Sequence, residues 1–290
     1  MTLVTSRTKI AILPSAPVFT LPEQVAEEEG LFEREGLDTV VTDDWHWQPQ
    51  GKHGWEAMFD RFREHGAHTY NMCEWGVINQ IEQGVERNAK IAYLRPAVTA
   101  QAIVSYRPEI QEPHDLVDQP VGVAKFTGQH YTTLQLLEGG LRREQIDLRY
   151  PKSMDDILSG AREGDLAAVT VMEPFLSLAL KEGAHIVALT FYRGGQIFGS
   201  AVPDAARSAY VRAVNGAVDL INADRDRYRA HVAKQTGGRL APEELSLAFH
   251  RYSHAKPFDL KRFEETYSWM QSWDLADGQN TYESIVAPII

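Results

Sequence analysis

The stretch AHTYNMCEWGVINQIEQG, Ala67–Gly84, decides how the rest of the chain is read. AHTYNM has the character of a short strand. EWGVINQIEQG has that of a helix, closed by Gly84. Nothing separates the two, so a strand runs straight into a helix. That corner holds the only cysteine of the chain, Cys73, followed by Glu74 and Trp75. Free backbone N–H groups at a helix start favour an anion, and the same field lowers the pKa of a thiol. Cys73 is therefore a nucleophile, part of a ligand pocket, or a small buried residue at a tight corner. Glu74 argues against a bare sulfonate or nitrate if it points inward, because it would repel one.

The same alternation runs outward in both directions. KIAIL, LDTVVT and AKIAYL read as strands, and LPEQVAEEEGLFEREG and GWEAMFDRFREHG as helices. Strand and helix in turn predict an α/β fold with a mainly parallel sheet. AIVSY and the proline-punctuated RPEIQEPHDLVDQP end this unit. A second series follows: VGVAKF, GQHYTTLQLLEGGL, IDLRY, SMDDILSGAREG, DLAAVTV, EPFLSLALKEG and HIVALT. Phe191 to Val202 is again strand-like, and from Pro203 the chain reads as nearly all helical. Two such units predict two lobes, residues 1–103 plus 198–290 and residues 104–197. The chain would cross between them near Gln101–Arg107 and Gly195–Val202, with a ligand in the cleft at the strand ends.

Composition narrows the function classes. The chain has 290 residues, 43% hydrophobic and 24% charged, which is globular composition. The net charge of −11 comes from acids spread along the chain, and no Lys/Arg run marks a nucleic-acid surface. A single cysteine excludes an internal disulfide. No run approaches the roughly 20 apolar residues of a membrane span. The apolar part of the N-terminus, Ile10–Leu13, is too short for a signal peptide. As the sequence stands, the expected location is the cytoplasm; removal of a leader would make it periplasmic or extracellular.

Four stretches carry a family resemblance. VAEEEGLFEREGLDTVV resembles the opening of the nitrate-, sulfonate-, taurine- and thiamine-precursor-binding proteins. LVDQPVGVAKFTGQHYTTLQLLEGGL resembles the start of their second lobe. GDLAAVTVMEPFLSLALKEG resembles their strand ending before a proline, and HRYSHAKPFDLKRFEETYSWMQSWDL their closing helices. The resemblance spans almost the whole chain. It implies the two-lobed type II periplasmic-binding-protein fold, with helices closing the C-terminal region. Most such proteins hand a small molecule to a membrane transporter, and a cytoplasmic minority are enzymes, so the fold does not settle function.

Further candidates lie at the other element junctions. FTGQHY offers Thr127 as a cap, Gly128 for close backbone approach, and Gln129 and His130 in the first turn. In the resembling receptors this turn faces the ligand; the alternative is an ordinary capped helix. The loop after the second strand holds Trp45 and His46, either an aromatic wall or an anchor to the core. Glu173, at a strand end before Pro174, either meets an amine or caps the next helix. Ser15 follows the first strand, where such receptors often touch the ligand. Arg95 either meets a carboxylate at the hinge or pairs on the surface or between lobes. His250 and His254 have helical spacing without a third ligand, and Gly194–Gly199 reads as a hinge turn. Neither a Walker loop nor a Ser-His-Asp set is present, so no cofactor and no metal is expected.

Two functions remain. One is a binding protein that closes on a small organic molecule, aromatic, heterocyclic or bearing an amine or carboxylate. Its partner would be an ABC-transporter permease if the chain is exported. The other is a cytoplasmic lyase or hydrolase, with Cys73 as nucleophile or proton donor, His130 or His46 as acid or base, and Glu173 as orienting carboxylate. The chain lacks the cysteine run of the thiamine-pyrimidine synthases. Its PSAPVF stands where the sulfinate desulfinases carry a cysteine.

Overall fold

The computed structural model describes residues 7–41, 62, 68–83 and 89–289. The expected Trp55–Phe62 helix face, Trp45 and His46 lie outside the described residues, Phe62 excepted. Among the described residues nine strands form one sheet: β1 (Thr8–Leu13), β2 (Leu37–Val41), β3 (Thr69–Cys73), β4 (Lys90–Ser105), β5 (Pro120–Gly122), β6 (Asp147–Arg149), β7 (Ala168–Val171), β8 (His185–Phe198) and β9 (His250–Tyr252). Their order is β2-β1-β3-β8-β4-β7-β5-β6, with β9 paired to β4. At one end β1 pairs parallel with β2 and β3; at the other, β5 pairs parallel with β6 and β7. Between these two parallel groups lie β4 and β8, antiparallel to each other and to their neighbours.

These two long strands correct the sequence reading. AKIAYL and AIVSY are one 16-residue strand, β4, buried along all but its first residue. HIVALT and the strand-like start of Phe191–Val202 are likewise one strand of 14 residues, β8. Pro96 reads locally as a break, since it cannot donate to the ladder. The sheet absorbs it with a register shift between Leu94 and Val98. Gly194–Phe198 belongs to β8 and is not a turn. Gly194 is needed there for a packing reason: a Cβ on it would stand 2.5 Å from the Met72 carbonyl oxygen of β3. HRY, expected in a helix, is β9, held by β4 at Ala97–Thr99.

The α-helices among the described residues are α1 (Pro17–Glu28), α2 (Leu31–Arg34), α3 (Glu74–Glu82), α4 (Gly128–Leu137), α5 (Met154–Glu163), α6 (Phe175–Lys181), α7 (Asp204–Ala223), α8 (Arg229–Ala233), α9 (Leu260–Ser272) and α10 (Tyr282–Ile285). α7 packs along α1, and α9 against α3. The larger apolar core runs from β1 and α1 through β4 and β8 to α7. A smaller one, including Ile103, Val121 and Leu137, lies by β5 and α4. None of the described helices is long and apolar enough to cross a membrane.

Candidate functional site

Four helices begin at one cavity of about 980 Å³. Ser15 and Ala16 lead into α1, and Cys73 caps α3. Thr127 caps α4 and Ser153 caps α5; all five residues line the space. The caps are explicit. The Thr127 hydroxyl accepts from the Gln129 N–H at 3.3 Å, Ser153 Oγ from Asp156 N–H at 3.1 Å, and Cys73 Sγ from Gly76 N–H at 3.4 Å. The first N–H groups of a helix have no intrahelical partner, and each helix start carries partial positive charge. Apolar side chains supply the walls, among them Phe19, Met72, Met172, Phe175 and Tyr192. Asn71 and Gln101 add buried amides. Ser15 Oγ donates to Asn71 Oδ1, and Gln101 Nε2 to Tyr192 Oη at 3.4 Å. Asn71 Nδ2 and Gln101 Oε1 find no partner among the described residues.

Ser15, Cys73, Thr127, Gly128 and Gln129 thus share one cavity. Cys73 is buried there, and its chemistry differs from the sequence expectation. Burial, more than the neighbouring Glu74, pushes the thiol up to about 12 against the opposing pull of the Gly76 N–H. Desolvation outweighs the helix field.

The structure puts Glu74, Trp75, His130 and Glu173 outside the cavity lining. Glu74 turns back onto α9, where Arg262 Nε donates to it at 2.8 Å and Thr266 Oγ1 at 3.3 Å. Burial raises its carboxyl pKa, and the Arg262 charge opposes that shift. Trp75 stacks on Tyr131 at 5.8 Å. His130 Nδ1 accepts from Phe126 N–H at 3.4 Å, and Nε2 lies 3.5 Å from the Tyr150 hydroxyl. Burial, with help from Lys125, holds this ring neutral down to about 4. Glu173 accepts from both Ser177 N–H, at 3.1 Å, and Ser177 Oγ, at 2.6 Å, and burial raises its pKa to about 7.

Arg95 is fully buried, and it is neither a surface pair nor a cleft cation. It forms a two-point ion pair with Glu23 of α1, at 2.7 and 2.8 Å, and also donates to Gln196 and the Phe19 carbonyl. His250 sits in β9, while His254 contacts Asp219 at 2.8 Å. Among the described residues no group of three His, Cys, Asp or Glu side chains could hold a metal.

By sequence, no protein-family model and no curated protein matches this chain. By structure, the alkanesulfonate-binding protein SsuA of Xanthomonas axonopodis pv. citri, bound to MOPS, superposes with a TM-score of 0.74. It is 14% identical, over 99% of this chain and 100% of that one. The periplasmic aliphatic sulphonate-binding protein SsuA of Escherichia coli reaches a TM-score of 0.77 at 14% identity, over 97% of each chain. The desulfurization enzyme DSZB reaches 0.68 at 14% identity, over 97% of each chain. This chain has the type II periplasmic-binding-protein fold. Both a binding protein and an enzyme share that fold at the same identity, so the fold alone does not separate the two readings.

Within the periplasmic-binding-protein fold, several lining residues escaped the sequence reading: Phe19, Asn71, Gln101, Met172 and Tyr192, with Thr236 and Arg239 at the C-terminal side. Asn71 and Gln101 carried a usable signal, since each is the one side-chain amide of its strand. The others carry no local mark.

Proposed function

We propose that this chain is a ligand-binding protein whose cavity takes a small organic acid with an apolar or aromatic body. The convergence of four helix starts on one apolar-walled cavity carries the reading. Helix N-termini offer an anionic head partial positive charge and the first-turn N–H groups that the caps do not take, while Phe19, Met72, Met172 and Phe175 suit an uncharged body. Residues 1–103 plus 198–290 and residues 104–197 act as the two lobes. The lobes close on each other by bending the paired strands β4 and β8 that run between them. The sulfonate-binding relatives support the class of ligand. On this reading the chain works outside the cytoplasmic membrane and delivers its ligand to a transporter permease.

Cleft chemistry is less well supported. A thiolate nucleophile needs a depressed pKa, and Cys73 has the reverse. His130 and Glu173 spend their polar atoms on neighbours away from the cavity. A thermal-shift screen of small aromatic carboxylates, sulfonates and pyrimidines tests the proposal. An acid held at about a hundred times its Kd should raise Tm by roughly 5 °C, and should be recovered unchanged after long incubation. Stabilisation by none of the acids, or conversion of one of them, would overturn it.

A further inference from the structure

We infer that Tyr192 determines the size of ligand that the cavity admits, an inference that rests on the binding reading above. Tyr192 leaves β8 and ends in the middle of the site. Its ring meets Phe19 of α1 edge-on at 5.5 Å and Trp75 of α3 at 5.7 Å. Its hydroxyl accepts from Gln101 Nε2 of β4 at 3.4 Å and reaches Met172 Sδ at 3.9 Å. Against α4 the fit is tighter still: a Cβ on Gly128 would stand 2.5 Å from the Tyr192 oxygen and 2.8 Å from Cζ. Residues of α1, α3, β4 and α4, together with Met172, therefore fix one phenol in place.

That phenol lines the cavity, whereas the Trp75–Tyr131 stack behind it does not. Tyr192 is thus a partition between the ligand space and a second aromatic surface. Glycine at 128 is what lets the partition stand where it does. The ring lies among Phe19, Trp75 and Met172, while its hydroxyl end lies by Gln101 and the α4 start at Gly128, so the space left by the ring would receive the uncharged end of a ligand whose acidic head stays at the helix starts. Tyr192 is then a specificity-determining residue, distinct from the helix starts that hold the head.

The test is titration calorimetry of the full chain with straight-chain alkanesulfonates from methane- to octanesulfonate. Wild type should gain affinity with each methylene up to a limiting length and then lose it. Y192A should move that limit outward by two or more carbons, with gains of about fourfold per added methylene where wild type gains nothing. Y192F keeps the partition and should keep the wild-type limit. If Y192A does not fold, Y192L, which is shorter than a phenol and still apolar, should move the limit by at least one carbon. A folded Y192A or Y192L with the wild-type limit overturns the inference while leaving the binding reading intact. Failure of every alkanesulfonate to bind wild type overturns the inference, and the acid-binding reading falls with it only if no carboxylate or sulfonate of the thermal screen stabilises the chain either.

Discussion

Cys73 stands at a helix start, where a partial positive charge should favour a thiolate, yet its pKa is pushed up to about 12. The interior withholds from the thiolate more solvation than the helix returns. Native Cys73 should therefore react with iodoacetamide at pH 8 roughly a thousandfold more slowly than the urea-unfolded chain. C73S should keep ligand affinity within about twofold; comparable labelling rates before and after unfolding would contradict this account. Burial acts on Glu173 in the same direction but with a consequence for stability. Its carboxyl titrates near 7 in the folded chain against an ordinary value of 4.5. Between those values the unfolded chain has lost the proton and the folded chain has kept it. Stability from this group is complete below about 4.5 and is lost as pH rises through 7, by on the order of 3 kcal/mol. His130 and His250, both held neutral down to about 4 by burial, act oppositely, costing stability as pH falls below 6.5. The clean readout is the comparison with E173Q. Urea midpoints should show wild type losing ground to E173Q between pH 4.5 and 7.5, and a constant difference would refute the assignment.

Elements with a local period were legible in the sequence. The strand–helix alternation across Thr8–Val41 and Pro120–Lys181 follows from side chains that bury one face every two or every 3.6 residues. The long central strands were not legible. Pro96 and the Gly194–Gly195 pair are punctuation marks by local rules, and only pairing across β4 and β8 makes them strand interior. β9 is too short to carry a period. The site divides the same way. Ser15, Cys73 and Thr127 sit at junctions that the chain itself marks. The facing of Glu74 depends on Arg262, 188 residues away, which no local pattern reveals. Arg95 is another such case. It ties β4 to α1 through Glu23, whose carboxylate also accepts from the Tyr210 hydroxyl at 3.1 Å. R95M would leave Glu23 charged and unpaired in the core, at a cost of about 3–5 kcal/mol in urea unfolding. R95M with E23Q should cost clearly less than the two single changes added together. Additive losses would mean that the two side chains act independently.

For the whole molecule, the lobes of the proposed reading are held together on both flanks of the cavity. On one flank Arg239 meets Asp155 at 2.8 Å and Lys181 meets Glu244 at 2.7 Å. On the other, the Glu138 carboxylate accepts the indole N–H of Trp269 at 2.9 Å and of Trp273 at 2.7 Å. Beside it Arg143 lies 5.0 Å over the Trp273 ring and donates to Asp274 at 2.8 Å. Glu138 belongs to residues 104–197 and both indoles to α9 and its end, so on the proposed reading this carboxylate acts as a latch between the lobes. It is exposed, and water competes for each bond, so its effect on closure is modest. A protein that binds only when closed has its apparent Kd divided by the closed fraction. E138A should therefore weaken binding of the acid found in the thermal screen by about fivefold. It should also shift tryptophan emission to longer wavelength in the free protein, as opening lets water reach the two indoles. Saturating ligand should reverse most of that shift, because binding energy restores closure. If E138A left both affinity and emission as in wild type, the latch would not contribute to closure. If emission shifted without loss of affinity, these contacts would order the surface of α9 alone, and closure would rest on the Arg239–Asp155 flank.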